Sequence, residues 1–270
     1  MPTDEEWRTL IIGAMAQRAA PIIANEYRRD PVRQSFAAPP LLACEDGAEY
    51  WVKSISKDSP LGAVRNDHAS GMINDQILGR VARKLHLEAV PSVALIEIPD
   101  SLIAIERRLE KVAVNLAHGS LNAATSCTDR LDFDHGGYCR QPINRSRVAG
   151  LAVFYGLAVA QDHQVIYRLS GDPLVFSVDH GHFFPHGPNW RPEHLDAVAG
   201  GAIDLKVVTD CGLTPRELAE PLRRLSEFTA EGIAECVAAP PDEWLFTEID
   251  RIAVARFLWR RRDAILASVP

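Results

Sequence analysis

An α+β fold in two lobes is what this sequence predicts, with a small antiparallel sheet and one packed helix over residues 1–110 and a mainly helical half over residues 111–270. Three observations lead there. Short strand-like runs at 41–44, 49–53 and 90–98 crowd into the first part around one helical stretch, 72–85. Residues 146–160 are apolar nearly all round, as a buried core helix should be. Beyond Trp190 the patterning is helical to the end, with a single hairpin signal just before it.

At 270 residues the chain can bury a sizeable core. Its net charge of -7, and the lack of any large basic cluster, argue against direct nucleic-acid binding. Arg260, Arg261 and Arg262 lie in a helical pattern and read as a solvated face. No run reaches the roughly eighteen apolar residues of a membrane span, and the acidic start lacks a signal peptide's basic segment, so no membrane partner and a cytoplasmic location are expected. Five cysteines, with no Cys-x-x-Cys pair, read as reduced and mostly buried thiols.

In chain order, residues 5–28 carry apolar residues at mixed spacing and read as one helix broken near Pro21. Residues 41–53 read as a hairpin turning on Asp46-Gly47, whose second strand ends at Lys53. The helix over 72–85 follows, with Asp75 in its first turn, where an acid either complements the helix dipole or pairs with Lys53. Two further strands, 90–98 and 102–105, are expected about a Pro99-Asp100 turn, and residues 106–109 then form a hinge. Residues 116–145 read as a long irregular insertion. Asp129-Arg130 and Asp134-His135-Gly136 within it mimic a later motif, but no strand leads into them.

The richest stretch is 161–184. Val165–Leu169 and Leu174–Val178 flank the turn residues Ser170-Gly171-Asp172-Pro173, so a hairpin brings Asp162, before the first strand, next to Asp179, after the second. Two acids so placed can serve one metal and one proton. Later, Thr214-Pro215-Arg216-Glu217 is a helix start signal and 249–266 a final amphipathic helix.

A strand lysine, an acid on the next helix, a hinge, a buried helix and an Asp on each side of a hairpin form the serial plan of a protein-kinase-like phosphotransferase. On that plan Lys53 neutralises phosphate charge and Asp75 holds it. Asp179 binds Mg²⁺, Asp162 receives the acceptor hydroxyl's proton, and the hinge backbone around Glu106 and Arg107 pairs with adenine. ATP and Mg²⁺ are the implied cofactors, and the acceptor is an unidentified protein or small-molecule hydroxyl.

Tyr-Trp-Val-Lys53, Asn74-Asp75 opening a helix that ends Arg-Lys-Leu-His-Leu, and the following Val-Pro-Ser resemble the first lobe of HipA-like kinases. Ser177-Val-Asp-His-Gly-His-Phe-Phe184 is similar to the Asp-His-Gly-aromatic segment of small bacterial members of that group, and Pro-Pro-Asp-Glu-Trp244 to their tail. The resemblance covers roughly residues 40–265 and implies a two-lobed protein-kinase-like (HipA-like) fold.

The chain departs from this pattern in four places. Tyr167 stands where a kinase loop has its second metal ligand, Asn, and the carbonyl of Gln164 is the substitute at hand. The family's Asp-Arg-His is reduced to Asp162-His163, and Asp75 is one methylene shorter than the usual Glu. No Gly-rich loop precedes Lys53, because Ser35-Phe-Ala-Ala-Pro-Pro40 occupies its place. The lost Asn admits a second reading, a pseudokinase that binds nucleotide or serves as a scaffold. A third is a metal-dependent hydrolase on Asp179, His180, His182 and His186, with His163 near by.

Overall fold

The computed structural model describes residues 1–28, 39–58, 67–123, 126–128, 133, 135–198 and 200–268. In chain order its elements are α1 (Asp4–Met15), β1 (Ile22–Arg28), β2 (Leu41–Cys44), β3 (Glu49–Lys53), α2 (Asp67–Lys84), β4 (Val93–Glu97), α3 (Asp100–Ile105), β5 (Leu116–Leu121) and α4 (Arg145–Ala158). The hairpin β6 (Val165–Tyr167) and β7 (Val175–Ser177) follows, then α5 (Pro192–Ala197), α6 (Leu205–Cys211), α7 (Pro215–Ser226), α8 (Ala230–Ala238) and α9 (Glu248–Ser268).

The first five strands close into a small barrel in the order β1-β2-β3-β5-β4, and the closing pair, β1 with β4, is the parallel one. Residues alternate along β3. Tyr50 and Val52 are buried with Leu42, Ile96 and Ala117 in the barrel core, so Lys53, one step on, leaves on the opposite face. That face is covered by α2. Gly79 makes the approach possible, since a Cβ there would lie 2.3 Å from Val93 Cγ1. The second core joins α1 and α2 to the C-terminal helices, centred on α4, eleven of whose residues are buried.

Four expectations are corrected here. Residues 22–28 form a strand, not the second half of a broken helix. Pro21 stops the helical option, and pairing with β2 and β4 overrides the apolar spacing. Residues 102–105 belong to the helix α3, entered through Pro99 at its N-cap. The strand that completes the barrel is instead β5, inside the stretch read as irregular and beyond the boundary drawn at residue 110. Leu-Ala-His-Gly-Ser-Leu is a weak strand former, and partners on both sides impose its conformation. Helix α2 also begins five residues earlier than expected, which puts Asp75 in its interior.

The arginine run is corrected as well: Arg261 is buried and donates to the carbonyls of Gly156 and Gly200, and Arg260 and Arg262 are half-buried, so the run is not a solvated face. The β2–β3 hairpin, the buried helix α4, the β6–β7 hairpin, the start of α7 and the long α9 form where the pattern placed them, within a few residues. The cysteines are free thiols, four of them buried. No helix among the described residues is long and apolar enough to cross a membrane. Ser35–Ala38, Asp129-Arg130 and Asp134 lie outside the described residues.

Candidate active site

Lys53 donates to Asp75 Oδ2 and to Asp179 Oδ1, both at 2.7 Å. Three elements meet at this ammonium group: the end of β3, the middle of α2 and the second residue after β7. Burial works against the lysine's charge, but the carboxylates of Asp75 and then Asp179 outweigh it and raise its pKa above the ordinary lysine value. Asp75, with only 4% of its side chain exposed, is the buried anchor; Asp179, at 18%, keeps a side open to solvent. The shorter acid reaches Lys53 because α2 lies close.

That closeness is built by the neighbouring residue. Asn74 is fully buried and donates from its amide to the carbonyls of Gly181 (2.8 Å) and Phe183 (3.0 Å), while its Oδ1 accepts from Trp190 Nε1 (2.8 Å). Helix α2 is thereby tied to the segment just after Asp179. Asp179 itself has φ 61° and ψ 64°, a left-handed conformation uncommon outside glycine, which turns the chain from β7 into a short 3-10 helix at His180–His182.

The hairpin brings its two open ends together as expected. Val165 pairs with Ser177, and Val178 N donates to Gln164 O at 3.0 Å, so the chain at Gln164 runs beside Val178, the residue before Asp179. Gln164 Nε2 donates to Asp162 Oδ2, while its buried Oε1 has no hydrogen-bond partner among the described residues. The partly exposed carboxylate of Asp179 and the unpartnered amide oxygen of Gln164 are both hard oxygen donors, the kind Mg²⁺ takes. His163 Nε2 bonds Asp204 Oδ2 at 2.8 Å and its ring stacks on Tyr155 at 4.9 Å, which pins the backbone beside Asp162.

Tyr167 is a packing residue. It is fully buried, donates its hydroxyl to Phe133 O at 3.2 Å and tilts against Tyr138. His180 is buried too, with Nε2 on Ser177 Oγ, which in turn meets the Tyr155 hydroxyl at 2.6 Å. Burial pushes His180 down to about 4, so the ring is neutral at pH 7. His186 stacks on His194, and no group of three or more His, Cys, Asp or Glu among the described residues can hold a metal ion. The histidine-based hydrolase reading is corrected on that ground.

Residues 106–109 do not link the barrel to the helical part. Glu106 caps a 3-10 helix, Arg107–Leu109, by accepting from Arg108 N, and Arg107 is exposed. Both residues lie between β4 and β5, before the chain leaves the barrel, because the strand expected ahead of them is the helix α3. The exit from the barrel is at Leu121–Asn122, where Asn122 N donates to Glu49 O and Trp51 Nε1 donates to Asn122 Oδ1. Sequence reasoning also misses His118, opposite Lys53 on β5 and bonded to Gln76 Oε1 at 2.8 Å. Its only signal is a histidine in a stretch with no strand pattern.

Among solved structures the chain is similar to the Helicobacter pylori proinflammatory kinase CtkA, with a TM-score of 0.58 at 11% identity over 92% of this chain and 96% of that one. It is more distantly similar to the Golgi casein kinase, at TM-score 0.44 and 9% identity, covering 98% of this chain and 77% of that one. The Golgi casein kinase with Mn/ADP bound gives 0.43 at 11% identity, covering 98% of this chain and 76% of that one. No family model matches the chain, and no curated protein matches it in sequence. The likeness to CtkA shows a protein-kinase-like fold.

Proposed function

We propose that this protein is an ATP:Mg²⁺-dependent phosphotransferase of the HipA-like type, acting on a protein or small-molecule hydroxyl. The observation that carries the reading is Lys53 held between Asp75 and Asp179 in a kinase-like fold. On this reading the barrel is the first lobe, the helical part with the β6–β7 hairpin is the second, and nucleotide lies between them. Lys53, oriented by Asp75, meets the negative charge of the phosphates. Asp179 and Gln164 Oε1 would hold the metal, which would supply positive charge against the phosphates. Asp162 accepts the proton of the acceptor hydroxyl. Backbone groups where the chain leaves the barrel, at Leu121 to Ala123, take over the adenine contact first assigned to Glu106 and Arg107.

Tyr167 favours a second reading, a domain that binds nucleotide without turnover. The usual loop Asn is replaced by a side chain committed to the core. Phosphate release from ATP and autophosphorylation, measured for wild type and Asp162→Asn, separate the two. Turnover that Asp162→Asn abolishes while ATP binding persists supports the enzyme. Nucleotide binding with no turnover in wild type, across a panel of candidate acceptors, supports the pseudokinase and overturns the enzyme reading.

A further inference from the structure

A cavity of about 310 Å³ lies among α1, the C-terminal half of α2, β4 and α8, and its lining includes none of Lys53, Asp75, Asp162 or Asp179. Four cationic side chains line it, Arg18, Arg80, Arg83 and Lys84, against one carboxylate, Glu235, which Lys84 already engages. Basic residues in a last helical turn complement the helix dipole, and that accounts for Arg83 and Lys84. It does not account for the other two.

Arg80 Nε and Arg18 Nη2 are buried with no hydrogen-bond partner among the described residues. Arg18 donates from Nε to Ala238 O and forms an ion pair with Asp242, but Asp242 Oδ1 lies 3.6 Å from Nη2, beyond hydrogen-bond reach, and already accepts from Arg251. Burial, then the neighbouring Arg83, lowers the pKa of Arg80 from the ordinary arginine value, so its charge is under-compensated. Buried guanidinium donors without acceptors are costly, and native structures satisfy nearly all such groups. The volume exceeds that of a single inorganic anion and reaches the lower range of small-molecule sites, with Leu95 supplying an apolar wall.

We propose that this cavity is a binding site for a small organic phosphate, whose phosphoryl oxygens accept from Arg18 and Arg80 while Arg83 supplies charge at the mouth. A planar guanidinium pair suits a phosphoryl group better than any neutral ligand. The site is separate from the proposed nucleotide site and stands whether or not that reading holds.

Calorimetric titration with glycerol 3-phosphate tests it, with glycerol as the neutral control, on wild type, Arg80→Gln and Arg83→Gln. The Arg83 side chain is exposed and makes no hydrogen bond or ion pair among the described residues, so Arg83→Gln costs the fold little more than its share of the helix-dipole interaction. The expected result is saturable binding of glycerol 3-phosphate at millimolar concentration or below, none of glycerol, and affinity weakened about tenfold or more in each variant. Absence of saturable binding by wild type, or undiminished binding by both variants, overturns the proposal.

Discussion

Gly181 lies so close to Gly71 that a Cβ on Gly181 would meet both the Cα and the carbonyl oxygen of Gly71 at 3.3 Å, and Asp75 Oδ2 at 3.4 Å. The reverse contact is looser. A Cβ on Gly71 would sit 3.8 Å from Gly181 Cα, an ordinary van der Waals distance. Helix α2 and the turn after Asp179 thus touch backbone to backbone, and the acid that orients Lys53 lies at the contact.

The two glycines are therefore expected to respond with opposite signs. Gly181→Ala presses α2 away from the turn, lowering stability by about 1–3 kcal/mol and weakening whatever binding depends on the Lys53–Asp75–Asp179 contact. Gly71→Ala, inside a helix with room for a methyl group, is neutral or stabilising by up to about 1 kcal/mol. Urea denaturation midpoints of the two variants check this.

Asn74→Ala removes both donations to the turn and leaves Trp190 Nε1 without its acceptor. The expected loss is about 3 kcal/mol, at the upper end for stranded buried polar groups. Asn74→Asp keeps the acceptor for Trp190 but loses the donors, so it is also destabilised. Chemical denaturation at neutral pH measures both.

Tyr167→Asn restores the residue type of a kinase loop but not its surroundings, because this side chain points into the core. We expect a loss of about 3 kcal/mol with no gain in metal-dependent nucleotide binding. Tyr167→Phe, which removes only the hydroxyl bonded to Phe133 O, costs about 1 kcal/mol. A gain of Mg²⁺-dependent binding by Tyr167→Asn would show that the position can supply a ligand.

Glu217 joins α7 to α4. Its carboxylate accepts from Arg145 Nε (2.6 Å) and Nη2 (2.7 Å) and from Thr214 N (2.8 Å), and the Arg145 bonds, then the Thr214 backbone, hold its pKa down at about 2, against 4.5 ordinarily. A depressed carboxylate stabilises the fold above its unfolded pKa and loses that contribution as pH falls through the folded one. The difference in unfolding free energy between wild type and Glu217→Gln is expected to be constant above about pH 5.5 and to shrink toward nothing near the folded value. Denaturation curves taken across that window test the sign.

Much of the site is legible in the sequence, for local reasons. Lys53 ends a strand with a clear Asp-Gly turn behind it, and the Ser-Gly-Asp-Pro turn sets the β6–β7 hairpin that lays Gln164 beside Val178, next to Asp179. Asp75 is readable as the partner of Lys53, although its helix starts earlier than the apolar spacing indicates. β5 escapes a sequence reading because it carries little strand preference, and β1 because its apolar spacing continues that of the helix before it; each depends on a partner far along the chain. The error at β5 propagates: with a strand set at 102–105, the hinge falls on Glu106 and Arg107. The anchoring role of Asn74 is invisible in the sequence, since its partners lie more than a hundred residues away.

The central claim is that Asp179, opposite Lys53, holds the metal through which nucleotide binds. The most direct test is the melting midpoint with ATP, with and without Mg²⁺, for wild type, Asp179→Asn and Asp162→Asn. A ligand at a hundred times its dissociation constant adds about 2.7 kcal/mol to the folded state, a rise of several degrees at this size. The account predicts a rise that needs both ATP and Mg²⁺ in wild type and Asp162→Asn, and is lost in Asp179→Asn; an equal rise in Asp179→Asn, or none in wild type, would contradict it.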